Sequence, residues 1–208
     1  MLEGLQNIVM PELLSGHSAL DFTNTIESRH SKTQFDFLNS YNDLIAWSQC
    51  VGYLSDENAE RLYNIAITQP HAADDVFRIT IELREAVYTI FTTFIETGNG
   101  KSVNLEPFTK IFYTIPYQLP EVLSDRIVLG WPNDYWNLER IYWPIGKAAA
   151  DLLTSENLRK VCKCPSCGWL FVDTSRNHQR RWCSMRYCGS HVKARQQYMR
   201  KLSEKRSS

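Results

Sequence analysis

The chain has 208 residues, 43% of them hydrophobic and 22% charged, with 23 basic and 23 acidic side chains that cancel to a formal net charge of zero. This composition fits a folded chain of one domain, or one domain with a small appendage, and excludes a wholly disordered one. No apolar run approaches the roughly 18 residues that span a bilayer, and the opening MLEGLQNIVMPELLSG lacks a basic stretch and carries Glu3 and Glu12, so no membrane partner, no secretory signal and a cytoplasmic location are expected.

Residues 1–39 mix apolar Leu20, Phe22 and Ile26 with polar groups, and their spacing does not decide between an extended and a helical segment. From Asn42 the pattern turns helical, with Leu44, Ile45, Trp47, Ser48 and Val51 near one face and Gly52 as a C-cap. Ser55 caps a second helix bearing Ala59, Leu62, Ile65 and Ala66, which Pro70 ends. The longest helix is predicted over about 73–97, where Val76, Ile79, Leu83, Val87, Ile90, Phe91, Phe94 and Ile95 form a wide apolar stripe closed by Gly98. Asn104 caps a short helix through Phe112, with Pro107 in its first turn. Residues 114–137 are rich in Pro, Trp and Tyr, and 127–131 reads as a strand. A further helix over about 137–153 carries Leu138, Ile141, Ile145, Ala149 and Leu152, and Pro144 either kinks it or marks its true start. The expected fold is therefore mostly α, with a helical N-terminal domain over residues 1–157 and a small module over 158–208.

That module carries the chemistry. Residues 159–208 hold 13 Lys and Arg against two acids, Asp173 and Glu204, a net +11, which leaves residues 1–158 at −11. Such a split points to a polyanionic partner for the basic end. Five of the six cysteines lie between 162 and 188, and in a reducing compartment clustered thiols indicate a metal site rather than disulfides. Cys164, Cys167, Cys183 and Cys188 are spaced C-x2-C-x15-C-x4-C. Four thiolates about 2.3 Å from an ion satisfy tetrahedral zinc and close the site to substrate, and redox-inert zinc suits the site better than iron. Cys162 with Cys167 would give C-x4-C instead; Cys164 is favoured because C-x2-C is the commoner knuckle, which leaves Cys162 as a spare thiol. A redox pair or inert thiols are the bland alternatives. Trp169–Val172 is expected to be a strand turning back, in a zinc-ribbon or treble-clef-like hairpin followed by a basic helix capped by Ser190. Metal binding supplies on the order of 10 kcal/mol in zinc-finger peptides, so a chelator is expected to unfold residues 160–208 while the helical body survives.

Lys193, Arg195, Arg200 and Lys201 cover most of that last helix, beside a side holding Val192, Gln196, Met199 and Leu202. A short basic helix anchored by a metal knuckle fits the major groove of DNA. Arg176, Arg180 and Arg181 in the preceding loop add cations for phosphates or base edges.

The segment CPSCGWLFVDTSRNHQRRWCSMRYCGSHVKARQQYMRK resembles the CGNR zinc finger, a C-terminal module of bacterial proteins regarded as transcriptional regulators. The tetrad that names the family reads Cys188-Gly189-Ser190-His191 here, so the Asn and Arg are replaced. Upstream, SGHSALDFTNTIESR is similar to the start of the ABATE domain that usually precedes this finger, and Tyr41–Trp47 and Leu83–Ala86 fit as well. The resemblance implies a helical N-terminal domain, a structural Zn2+ and a stress-induced regulatory role.

Asp21, Asn24 and Thr25 are candidates to line an effector pocket or, alternatively, to cap and turn the chain locally. Arg84 is a candidate buried partner for one of them, and His17, His30 and His71 are isolated. No Ser/His/Asp set and no phosphate-cradling Gly-rich loop stands out, so the chain is not expected to be an enzyme. The leading reading is a DNA-binding regulator whose helical body senses a small molecule or forms a homodimer. The competing one is a ligand-binding or protein/RNA adaptor, in which the acidic body could also hold the basic tail in cis.

Overall fold

The computed structural model describes residues 10–31, 33–122, 124–132 and 136–206. Most of the N-terminal stretch in which no secretory pattern was found, residues 1–9, lies outside them. The first helix, α1 (Ser18–Thr23), is short and central: Leu20 and Phe22 are fully buried, and α1 lies against α4, α6 and β4. The helices α2 (Tyr41–Cys50) and α3 (Asp56–Thr68) start at Ser40 and Ser55, whose hydroxyls accept from Asp43 N and Asn58 N. The longest helix, α4 (Pro70–Thr97), crosses the body and ends at Gly98, whose φ of 62° is the left-handed turn a side chain would resist. Then come α5 (Glu106–Phe112), a two-stranded hairpin of β1 (Leu119–Val122) and β2 (Ile127–Gly130), and α6 (Trp143–Thr154). The C-terminal module holds a second antiparallel hairpin, β3 (Val161–Lys163) and β4 (Leu170–Val172), and the helix α7 (Ser190–Arg206). The fold is mostly helical, with small sheets only, and no helix among the described residues is long and apolar enough to cross a membrane.

Proline explains where the helices depart from expectation. Pro70 does not merely end α3; it is the first residue of α4, which therefore begins three residues earlier than its apolar stripe suggested. Pro144 marks the true start of α6, after a 3-10 turn over Leu138–Ile141. In a first turn proline forfeits no intrahelical hydrogen bond. β1 escaped the sequence reading because Pro120 sits inside it; a two-stranded hairpin is all edge, where proline is tolerated. Ser190 is not an N-cap. The chain already turns as a π-helical segment over Met185–Gly189, capped by Ser184, and the Ser190 hydroxyl donates back to Arg186 O.

The core does not stop at residue 158. Val161, Leu170 and Val172 belong to the same apolar cluster as Leu20, Trp47 and Leu83, because β4 lies against α1 and β3 against α4. The knuckle has only a small apolar cluster of its own, Cys164, Phe171 and Cys183, bordered by Trp169 and Trp182. By contrast α7 packs on the turn before it and is exposed along residues 193–204.

Candidate metal centre

The knuckle starts from backbone geometry. Between β3 and β4 the chain reverses so that Gly168 N donates to Cys164 O at 2.9 Å and Cys164 N to Trp169 O at 2.8 Å. Gly168 has a φ of 80°, and a Cβ there would lie 2.7 Å from Arg29 Cβ. Glycine is therefore required both for the turn and for the approach of the body. On the other side, the π turn carries Cys188 back toward Cys183, and buried Gly189 lets Trp182 and Met185 close over it.

These two turns bring Cys164, Cys167, Cys183 and Cys188 together, with all four sulfurs within 4.8 Å of one another. Cys167 Sγ lies 3.5 Å from Cys183 Sγ, which lies 3.6 Å from Cys188 Sγ. A tetrahedron with metal–sulfur bonds of 2.3 Å has edges of about 3.8 Å, so these spacings fit a single ion. None of the six cysteines is disulfide-bonded. Cys162 lies outside the cluster; it faces Phe171 across the β3–β4 hairpin and its thiol points to Lys160 O at 3.7 Å. Crowding couples the protonation of the sulfurs. Hydrogen bonds from Cys167 and Cys183 hold the Cys164 thiol well below the ordinary value, and the same contacts push Cys167 and Cys183 well above it. Cys164, Cys167, Cys183 and Cys188 would hold a divalent cation as thiolates, so binding would release their protons to solvent. Four sulfurs leave no open coordination position, and the role such an ion supplies is structural.

The loop after β4 is built on Asp173. Its carboxylate accepts from Ser175 N and Arg180 N, each at 2.9 Å, and the Ser175 hydroxyl first, then these backbone bonds, hold it below the ordinary carboxylate range. Arg176 and Arg181 point outward, exposed, whereas Arg180 turns inward. Its guanidinium stacks 4.5 Å over the Phe171 ring and donates to Trp182 O, Cys183 O and Leu14 O. Arg180 therefore ties the knuckle to the body, a role its place in a basic run did not reveal. Lys193, Arg195, Arg200 and Lys201 are exposed on α7.

The four polar residues of the body are buried, and each bonds to protein groups. Asp21 accepts from Ser15 N at 3.0 Å, and burial raises its carboxyl above the ordinary value. Thr25 and Arg84 meet at 3.0 Å, and Arg84 grips Asp36 through two bonds of 2.8 and 2.6 Å. Asn24 reaches across 146 residues: its carboxamide accepts from Leu170 N at 2.9 Å and donates to Leu170 O at 2.8 Å, pairing with β4 as another strand would. Arg29, Tyr88 and Trp169 complete this seam, and the sequence reading did not single them out. Arg29 N donates to Cys167 O at 2.8 Å, Tyr88 Oη to Gly168 O at 3.0 Å, and Trp169 Nε1 to Ile26 O at 2.6 Å. Each bond ends on a backbone group of another segment, and such pairings leave no local spacing signal.

Asn24→Ala should cost about 2–4 kcal/mol, because it leaves a buried N–H and C=O of β4 unpaired, and should weaken metal binding as β4 loosens. Asn24→Asp keeps the acceptor and loses the donor, so its loss should be intermediate. Chemical denaturation and competition with a colorimetric zinc chelator measure both effects.

Residues 159–201 match the CGNR zinc finger family, and residues 16–156 match the ABATE family, whose description is "Putative stress-induced transcription regulator". No curated protein matches the chain. The four-sulfur cluster and the CGNR match together assign a structural zinc to the C-terminal module. Because the ABATE match spans more than half of its residues, this chain belongs to the ABATE family and carries a CGNR zinc finger at its C-terminal end.

Proposed function

We propose that the protein is a DNA-binding transcriptional regulator in which the zinc knuckle fixes the base of α7 and α7 engages the major groove. The observation that carries this reading is the free-standing basic helix. Its residues 193–204 are exposed, they include Lys193, Arg195, Arg200 and Lys201, and they extend from a turn that holds Cys188. A rod of 17 residues, about 25 Å long, with cations around it and residues 193–204 exposed, suits a phosphate-lined groove. Exposed Arg176 and Arg181 extend the cationic surface onto the loop. Arg180 is withdrawn from this set, since its guanidinium is occupied by Phe171 and three carbonyls. The helical body acts as the regulatory part, through an effector or through self-association.

If about five phosphates are contacted, log K should fall against log salt with a slope near −4.5. Fluorescence anisotropy of the zinc-loaded full chain with labelled duplex DNA measures the slope. Arg195→Glu with Arg200→Glu should weaken binding at least tenfold and flatten the slope, without changing the melting temperature. Affinity independent of salt, or unaltered by this double reversal, rejects the reading.

A further inference from the structure

We infer that the outer face of the β1–β2 hairpin is a homodimer interface, closed by the same face of a second copy of this chain. Strand register defines the face. Pro120 stands opposite Leu129 and Val122 opposite Ile127, so these four side chains share one side of the hairpin. That side is open to solvent: Val122 is 82% exposed, Ile127 71% and Leu129 60%. The opposite side holds exposed Leu119 at its end and Glu121 and Val128, both half-buried, with the Glu121 carboxylate folded over Gly130. The hairpin thus turns apolar side chains outward and a carboxylate inward, the reverse of what water alone selects.

The patch continues onto the chain that leads into β1. Tyr113 and Tyr117, 83% and 91% exposed, line a cleft together with Leu129 and Trp131. With about 150–250 Å2 for a tyrosine, the two tyrosines and the four hairpin side chains present on the order of 800 Å2. A monomer's largest apolar patch is usually about 300–600 Å2, and one partner of a standard interface contributes about 800 Å2. The area therefore matches one half of a stable dimer.

Charge selects the occupant. None of the six is an acidic or basic side chain, and Lys147 at the edge of the cleft is already paired with Asp151 at 2.6 Å, so a two-fold axis through the six brings no like charges together, as an isologous contact requires. Apolar side chains rather than a cationic surface therefore define the patch. An isolated two-stranded hairpin is marginal in water, and packing against a twin covers its apolar face. This inference stands without the DNA reading, although a two-fold dimer would present paired basic helices to a palindromic site.

Sedimentation velocity on the zinc-loaded full chain, without DNA, tests it. At about 50 μM, above the weak end expected for an interface of this size, the chain should sediment as a dimer. Ile127→Glu with Leu129→Glu should raise the dimer dissociation constant at least 100-fold and leave the far-ultraviolet circular dichroism unchanged. Ile67→Glu, at a 59%-exposed position on α3, should leave the dimer intact. A monomer at 50 μM, including one that associates only when a different protein is added, overturns the proposal, as does a dimer that survives the double substitution or dissociates in the Ile67 variant.

Discussion

Stripping the zinc should lower the melting temperature of the whole chain, not of its C-terminal module alone. A four-thiolate zinc contributes on the order of 10 kcal/mol to the folding of a small finger. Here its loss frees the turns at both ends of the knuckle. β4 carries buried Leu170 and Val172 into the same core as Leu20 and Leu83, and Asn24, Arg29, Tyr88 and Trp169 bond across the seam. Loosening the knuckle therefore withdraws apolar surface and hydrogen-bond partners from the helical body. If about half of the metal's contribution is felt globally, roughly 5 kcal/mol, then at about 2–4 °C per kcal/mol for a chain of this size the fall is roughly 10–20 °C. Calorimetry with and without a chelator should show one transition moving as a unit. A body that melts at an unchanged temperature beside a lost finger would mean that the seam transmits no stability. Cys183→Ser should reproduce the loss, because Cys183 is buried and approaches both Cys167 and Cys188. Cys162→Ser, outside the cluster, should leave zinc stoichiometry at one per chain.

Arg84→Ala should cost about 3–5 kcal/mol, the range for removing one partner of a buried ion pair. The Arg84 side chain is 3% exposed and Asp36 30%, so the abandoned carboxylate recovers some hydration and the loss falls toward the lower end. Arg84 also donates to Thr25 and to Glu85, so its removal takes one bond from each, while Glu85 keeps Arg29 and Asp36 keeps Leu38 N. Urea denaturation gives the cost directly. A double-mutant cycle of Arg84→Met with Asp36→Asn should return a coupling of about 1–3 kcal/mol, little altered between low and moderate salt because the pair is largely shielded. A cost under about 1 kcal/mol would mean that the network is incidental to the fold.

The cysteine site was legible because ligand spacing is local. C-x2-C and C-x4-C each fit one turn, and the two turns found each other across 15 residues because four thiolates and one ion make a closed tetrahedron. The apolar stripe of α4, the Ser40 and Ser55 caps and the stop at Gly98 follow from helical period and capping chemistry, which act within a few residues. Arg180 marks where such reading ends. Its neighbours Arg176 and Arg181 face water while it lies over Phe171, and nothing in a run of similar cations distinguishes them. The same holds for the outward apolar face of the β1–β2 hairpin, which depends on which side of two short strands the body happens to cover.

What the amino-acid order determined by itself is the helices α2 to α7, the four-cysteine centre and the opposite charges of the two halves. The tertiary structure alone decided that the finger shares the body's core, because Asn24 and Leu170 meet at a sequence separation of 146, and pairing at that range depends on how whole elements pack rather than on any local pattern.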